Sequence, residues 1–235
     1  MASKTQSIWT RILDLIAPRL CACCGQRLTV SEQIVCASCI LHFPRTYFHE
    51  EAQDNPMAKR FWGRLPIERA TAYFYYAPGS STSRPIRMLK YENRPDIGEA
   101  LGRMAAEEAM GSGVFKDIDL IIPMPLTRWR KWQRGYNQST EIARGISEVT
   151  GIPICTTAVR RTAFKQSQTQ LHYAERQRNV EGSFVLRDPE AVKGRHLLLV
   201  DDIVTSGATM TACGKILAEA GGVRFSVMSL GYTKS

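Results

Sequence analysis

The stretch LLLVDDIVTSGATM, residues 197–210, decides the reading of this chain. A continuous apolar run, the mark of a buried strand, stops at Asp201 and Asp202 and passes into small hydroxylic residues around Gly207. An ordinary turn needs no such pair of acids. The turn leads into a helix beginning near Ala208, and backbone N–H groups at a helix start favour an anion. A phosphate monoester fits there: Thr205, Ser206 and Thr209 supply hydroxyls, while Gly207 and Ala208 let the main chain approach closely. Two carboxylates beside a phosphate would repel it unless they served other groups. Ribose hydroxyls, or a Mg²⁺ shared with a second phosphate, answer that need. A Walker-type phosphate loop is excluded by spacing, because GATMTACGKI has six residues between its glycines and Ile216 where a hydroxylic residue should follow Lys215.

Around this stretch, strand and helix patterns alternate. ATAYFYYA (70–77), IDLIIPMP (118–125), IPICT (152–156), HLLLV (196–200) and RFSVMSLGY (224–232) read as strands. PIRMLKYE, IGEALGRMAAEEAMG, STEIARGISEVTG and ATMTACGKILAEAGG read as helices, three of them closed by glycine. The pattern predicts an α/β fold with a mostly parallel sheet and helices on both faces. Ligands in such sheets bind beyond the carboxyl ends of the strands, which puts Asp201 to Thr209 at the ligand edge.

With 235 residues and 44% hydrophobic content the chain can bury a substantial core. Its formal charge of +9 comes from 31 basic against 22 acidic residues, and 22 of the basic ones are arginine. Polyanionic partners suit that balance; a basic surface that only aids solubility is the plainer alternative. A short amphipathic pattern, Ile8, Ile12, Leu15 and Ile16, opens the chain. No apolar run approaches a signal-peptide core or a membrane span, so no membrane insertion and a cytoplasmic location are expected.

Five of the seven cysteines crowd into residues 21–39. Cys21 with Cys24 and Cys36 with Cys39 form two CxxC pairs separated by eleven residues, the spacing of a four-thiolate structural zinc site. Free reduced thiols are the alternative, and Cys23 is expected to be a spectator. Residues 44–66, broken by Pro44, Pro56, Gly63 and Pro66, read as a linker with one short helix. The organisation expected is an N-terminal helix, zinc ribbon and linker over 1–60, and the α/β domain over 66–235.

TRWRKWQRGYNQS interleaves Arg128, Arg130, Lys131 and Arg134 with Trp129, Trp132 and Tyr136, and no acid occurs from Leu120 to Thr140. Aromatic faces accept stacked bases while guanidinium groups track phosphates, the two components of sequence-tolerant single-strand binding. Alternatively, the tryptophans are core and the arginines a solvated face. Val149 to Ala174 is also free of acids and reads as a long polar connection.

The acidic strand end with its hydroxylic turn resembles the phosphoribosyl pyrophosphate (PRPP) loop of the type I phosphoribosyltransferases. Taken with the CxxC pairs, LKYENR (89–94), PMPLTRWRKWQRGYNQS (123–139) and QTQLHYAERQRNVEGSF (168–184), the chain resembles the ComF/GntX-like family, a zinc ribbon joined to such a domain. The resemblance covers nearly the whole chain, 44–66 matching weakly. It implies that Asp201 and Asp202 contact ribose hydroxyls and help place Mg²⁺, while Thr205 to Thr209 hold the 5-phosphate. Lys90, Arg134, Asn137 and Gln138 fall where pyrophosphate or nucleic acid is contacted. Val149 to Ala174 would be a flap closing over PRPP, with Arg161, Gln168, Arg176 and Asn179 as candidates for neutralising pyrophosphate; a simple surface loop stands beside that reading. The implied role is handling incoming single-stranded DNA during natural transformation, with a competence helicase or recombination proteins as partners. The alternative is an active Mg²⁺-dependent phosphoribosyltransferase acting on an amine or nucleobase-like acceptor.

Overall fold

A computed structural model describes residues 18–162 and 183–234. In chain order the strands are β1 (Ile67–Tyr75), β2 (Leu120–Pro123), β3 (Val159–Arg161), β4 (Phe184–Leu186), β5 (His196–Val204) and β6 (Arg224–Tyr232). The helices are α1 (Ala37–Leu41), α2 (Ser83–Tyr91), α3 (Pro95–Ala109), α4 (Arg128–Arg134), α5 (Gln138–Thr150) and α6 (Ala208–Ala218). Four strands form one parallel sheet in the order β1–β6–β5–β2. A separate antiparallel pair joins β3 to β4.

Alternation along β5 builds both layers of the core. Leu198 and Val200 join Ile121, Met228, Leu101, Ile142 and Ile146 on one face. Leu197 and Leu199 join Ile122, Val227, Met210, Cys213 and Leu217 on the other. A strand buried on both faces has to be apolar at every step, which is why LLLV carries no polar residue. Helices α3 and α5 pack backbone to backbone on the first face: a Cβ at Gly102 would strike the carbonyl oxygen of Ile142, and one at Gly145 that of Glu99. Pro95 opens α3, where its missing N–H costs nothing, and Gly151 closes α5 at φ 72°.

Three expectations are corrected. IPICT makes only a parallel bridge between Ile154 and Ile121; Pro153 has no N–H to continue the ladder at this sheet edge. The stretch 44–66 is seated in the second core layer, with Met57 and Phe61 fully buried, rather than strung between two units. Asn55 secures it: its Oδ1 accepts the N–H groups of Met57 and Ala58, each at 2.9 Å, and its Nδ2 donates to the Ala70 carbonyl in β1 at 2.8 Å. The third correction concerns the acidic pair, since β5 runs on through Asp201 and Asp202 to Val204 before the turn begins.

The cysteine segment is a small knuckle packed on the first layer. Leu20 and Arg27 bridge across it, and Cys21, Cys36 and Val35 share the core with Tyr73 and Phe74. The amphipathic N-terminal pattern lies outside the described residues.

Candidate functional site

The carboxyl end of β5 holds the acids in extended backbone, so their side chains diverge to different partners. Asp201 Oδ1 accepts the Ser139 hydroxyl at 3.0 Å and the N–H of Asp202 at 2.9 Å. Asp202 Oδ2 meets Lys90 Nζ at 2.9 Å. Burial, then the neighbouring Asp202 carboxylate, push the Asp201 carboxyl up to about 7, against the pull of its hydrogen bonds and of Lys90. One ammonium thus faces two carboxylates. The carboxylate oxygens can ligate a divalent cation or accept hydrogen bonds from sugar hydroxyls.

The turn after β5 is shaped by its glycine. Gly207 sits at φ 72°, and a Cβ there would stand 3.1 Å from the Phe61 ring. Arg64 Nη1 donates to the Ser206 carbonyl at 2.7 Å, so the 58–65 segment holds the turn from below. Thr205 and Ser206 are exposed, while Ala208 and Thr209 are half-buried in the first turn of α6. This is an open cradle flanked by hydroxyls.

Arg161, at the end of β3, lies over the Phe184 ring at 5.4 Å. Burial lowers its pKa and the like charge of Arg130 lowers it further, opposed by Asp201. Three residues separate α4 from α5, whose Ser139 is hydrogen-bonded to Asp201. Within α4, capped by Thr127 and closed by Gly135 at φ 78°, no residue is buried. Trp129 and Trp132 are 64% and 76% exposed and stack on each other at 5.2 Å between ring centroids. Their exposure removes the core alternative. Arg128 and Arg130 are exposed beside them, and Arg134 lies over the Tyr91 ring at 5.3 Å.

Asn137 is committed to structure: it caps α5 and donates to the Met124 carbonyl at 3.0 Å. Gln138 is only 1% exposed, which takes it off the outer surface, and its amide nitrogen is among the buried polar atoms with no hydrogen-bond partner. Gln168, Arg176 and Asn179 lie outside the described residues, as does most of the expected flap. Ser139 and Tyr91 were not legible as site residues. Ser139 looks like any hydroxylic residue at a helix start, and only the fold brings it to Asp201.

The Sγ atoms of Cys21, Cys24, Cys36 and Cys39 all lie within 4.8 Å of one another. Around a tetrahedral zinc with Zn–S of about 2.3 Å, sulfurs stand roughly 3.8 Å apart, and Cys24 and Cys36 are 3.7 Å apart. The four thiols could therefore hold a metal such as zinc. Burial opposes ionisation of Cys21, yet the N–H groups of Cys24, Cys36 and Cys23 hold it down to about 6. Cys23, by contrast, is pushed by burial up to about 12. It stays a neutral thiol outside the cluster.

The parallel sheet, the acidic strand end and the turn into α6 define a type I phosphoribosyltransferase fold, and residues 133–230 match the family described as Phosphoribosyl transferase domain. Two kinds of curated relative narrow this. DNA utilization protein YhgH of Shigella flexneri is 31% identical over 214 residues, covering 90% of this chain and 89% of the relative. Competence protein F of Haemophilus influenzae is 30% identical over 149 residues, 62% of this chain and 65% of the relative. The chain belongs to this YhgH and competence protein F family. A solved structure described as the allosteric regulatory enzyme of purine biosynthesis is 23% identical with a TM-score of 0.40, covering 60% of this chain and 29% of that longer one.

Proposed function

We propose that this protein binds PRPP or a related phosphoribosyl ligand at Asp201 to Thr209 and handles single-stranded DNA during natural transformation, in the cytoplasm. The observation that carries the reading is the exposed Trp129–Trp132 stack on a basic helix that leads directly into α5, whose Ser139 is hydrogen-bonded to Asp201. Bases stack on the indoles, arginines follow the phosphates, and the pocket holds a phosphorylated sugar. The relatives' names, DNA utilization and competence, support the same role. Fluorescence anisotropy with an oligothymidylate checks it. Replacing Trp129, Trp132 and Arg134 by alanine should weaken binding at least tenfold, stacking being worth about 1–3 kcal/mol per base, and flatten the salt dependence. An unchanged affinity and slope would sink the reading.

The two adjacent carboxylates at the end of β5 favour a second reading, a Mg²⁺-dependent phosphoribosyltransferase. Asp201 and Asp202 would hold the ion, which would neutralise pyrophosphate charge as it leaves. Lys90 and Arg161 would add cationic stabilisation, and no general base is required. Calorimetry with PRPP and Mg²⁺ should show binding that Asp201→Ala with Asp202→Ala abolishes. Binding retained in that variant would exclude the pocket.

A further inference from the structure

Beside α4 lies a groove of ≈ 570 Å³ whose lining includes neither the carboxylates nor the β5–α6 turn. Arg128, Lys131, Arg144, Arg160 and Arg187 line it. Its single acid, Glu141, is tied to Arg144 at 2.6 Å. Among the described residues no carboxylate pairs with the other four cations, and Arg160 Nε is buried without a hydrogen-bond partner. A buried guanidinium N–H with no acceptor is costly unless a ligand oxygen completes it.

Helical spacing explains how the groove relates to the pocket. At 100° per residue, Trp129 and Trp132 form the crest of α4, with Arg128 and Lys131 on one flank and Arg130 and Arg134 on the other. Arg128 and Lys131 line the groove, which Arg130 and Arg134 do not, and Arg134 lies over the Tyr91 ring instead. The helix is a ridge with basic side chains on both flanks.

The geometry points to this groove as a second phosphate-binding segment of the single-stranded DNA path: the strand crosses the Trp129–Trp132 crest and lays its next phosphodiesters against Lys131, Arg160 and Arg187. This deepens the DNA-handling reading and rests on it. The groove shares none of its cations with the carboxylate pair or the β5–α6 turn, so strand and pocket ligand are bound together without competing for the same cations.

The test compares oligothymidylate binding by wild type, Lys131→Glu with Arg187→Glu, and Lys193→Glu with Arg195→Glu. The last pair makes the same charge change before β5, at the other end of the sheet. Lys131 and Arg187 are exposed, and melting curves check that the fold is kept. The groove variant should lose roughly tenfold in affinity and about 1.4 in the slope of log K against log salt, two contacts at about 0.7 each. The control pair should keep both. Equal losses in the two variants, or no change in the groove variant, overturn the groove. If alanine at Trp129 and Trp132 abolishes binding while the groove variant binds normally, the groove falls alone. If wild type binds no strand, the DNA-handling reading falls with it.

Discussion

Asp201 is the residue at which the competing forces meet. Its carboxyl is buried beside a second carboxylate and stabilised by Ser139, one N–H and a shared lysine. The folded chain holds its proton up to about pH 7, against an ordinary value of 3.8. The folded state therefore binds the extra proton. This contribution to stability is fully present below the unfolded pKa and is lost as the pH rises through the folded one. Asp201→Asn should accordingly melt with wild type near about pH 4, where both side chains are neutral, and above it by a few degrees near about pH 8.5. Thermal melts in magnesium-free buffer check this; an equal offset at both values would show that Asp201 does not titrate as described. The acids, the hydroxyls of the turn and Gly207 were all legible in LLLVDDIVTSGATM, because strand end, turn and helix start are local. Lys90 was expected at the site only as a pyrophosphate or nucleic-acid contact and Ser139 not at all, since neither has a local pattern that points at a carboxylate more than 60 residues away.

At the scale of elements, local signals located most strands and helices but did not assign their surroundings. The alternating core of β5 and the glycine-closed α5 follow from residue type and spacing. IPICT has the composition of a strand yet makes only one bridge, because a proline at a sheet edge interrupts the ladder. The basic stretch becomes α4 because Thr127 caps it and Gly135 ends it. Whether its tryptophans face core or solvent could not follow from a seven-residue helix. The answer depends on which neighbours pack against it, and none buries the indoles. The close approach of α3 to α5 is written in Gly102 and Gly145, but a glycine within a helix acquires that meaning only when the opposing backbone is known.

For the whole molecule, the cysteine knuckle and the α/β sheet share one continuous layer of buried side chains, from Cys21 and Cys36 through Phe43 and Tyr73 to Leu101. No described helix is long and apolar enough to cross a membrane. Purified protein should carry about one zinc per chain by atomic emission, as one four-thiolate site requires. Removing the metal, or Cys24→Ser, should lower the melting temperature of a single cooperative transition, because the knuckle borrows its core from the sheet. Two well-separated transitions would show that the knuckle folds apart.

By itself the sequence determined the α/β class, the two CxxC pairs, and the acidic strand end with its hydroxylic turn, since each rests on spacing within a few residues. The tertiary structure alone decided the strand order β1–β6–β5–β2, the seating of 44–66 in the core and the placing of Lys90 and Ser139 on the two carboxylates. It also left α4 exposed, with Arg128 and Lys131 lining a basic groove. These are outcomes of long-range packing, in which burial of the whole apolar surface selects one arrangement that no local window encodes.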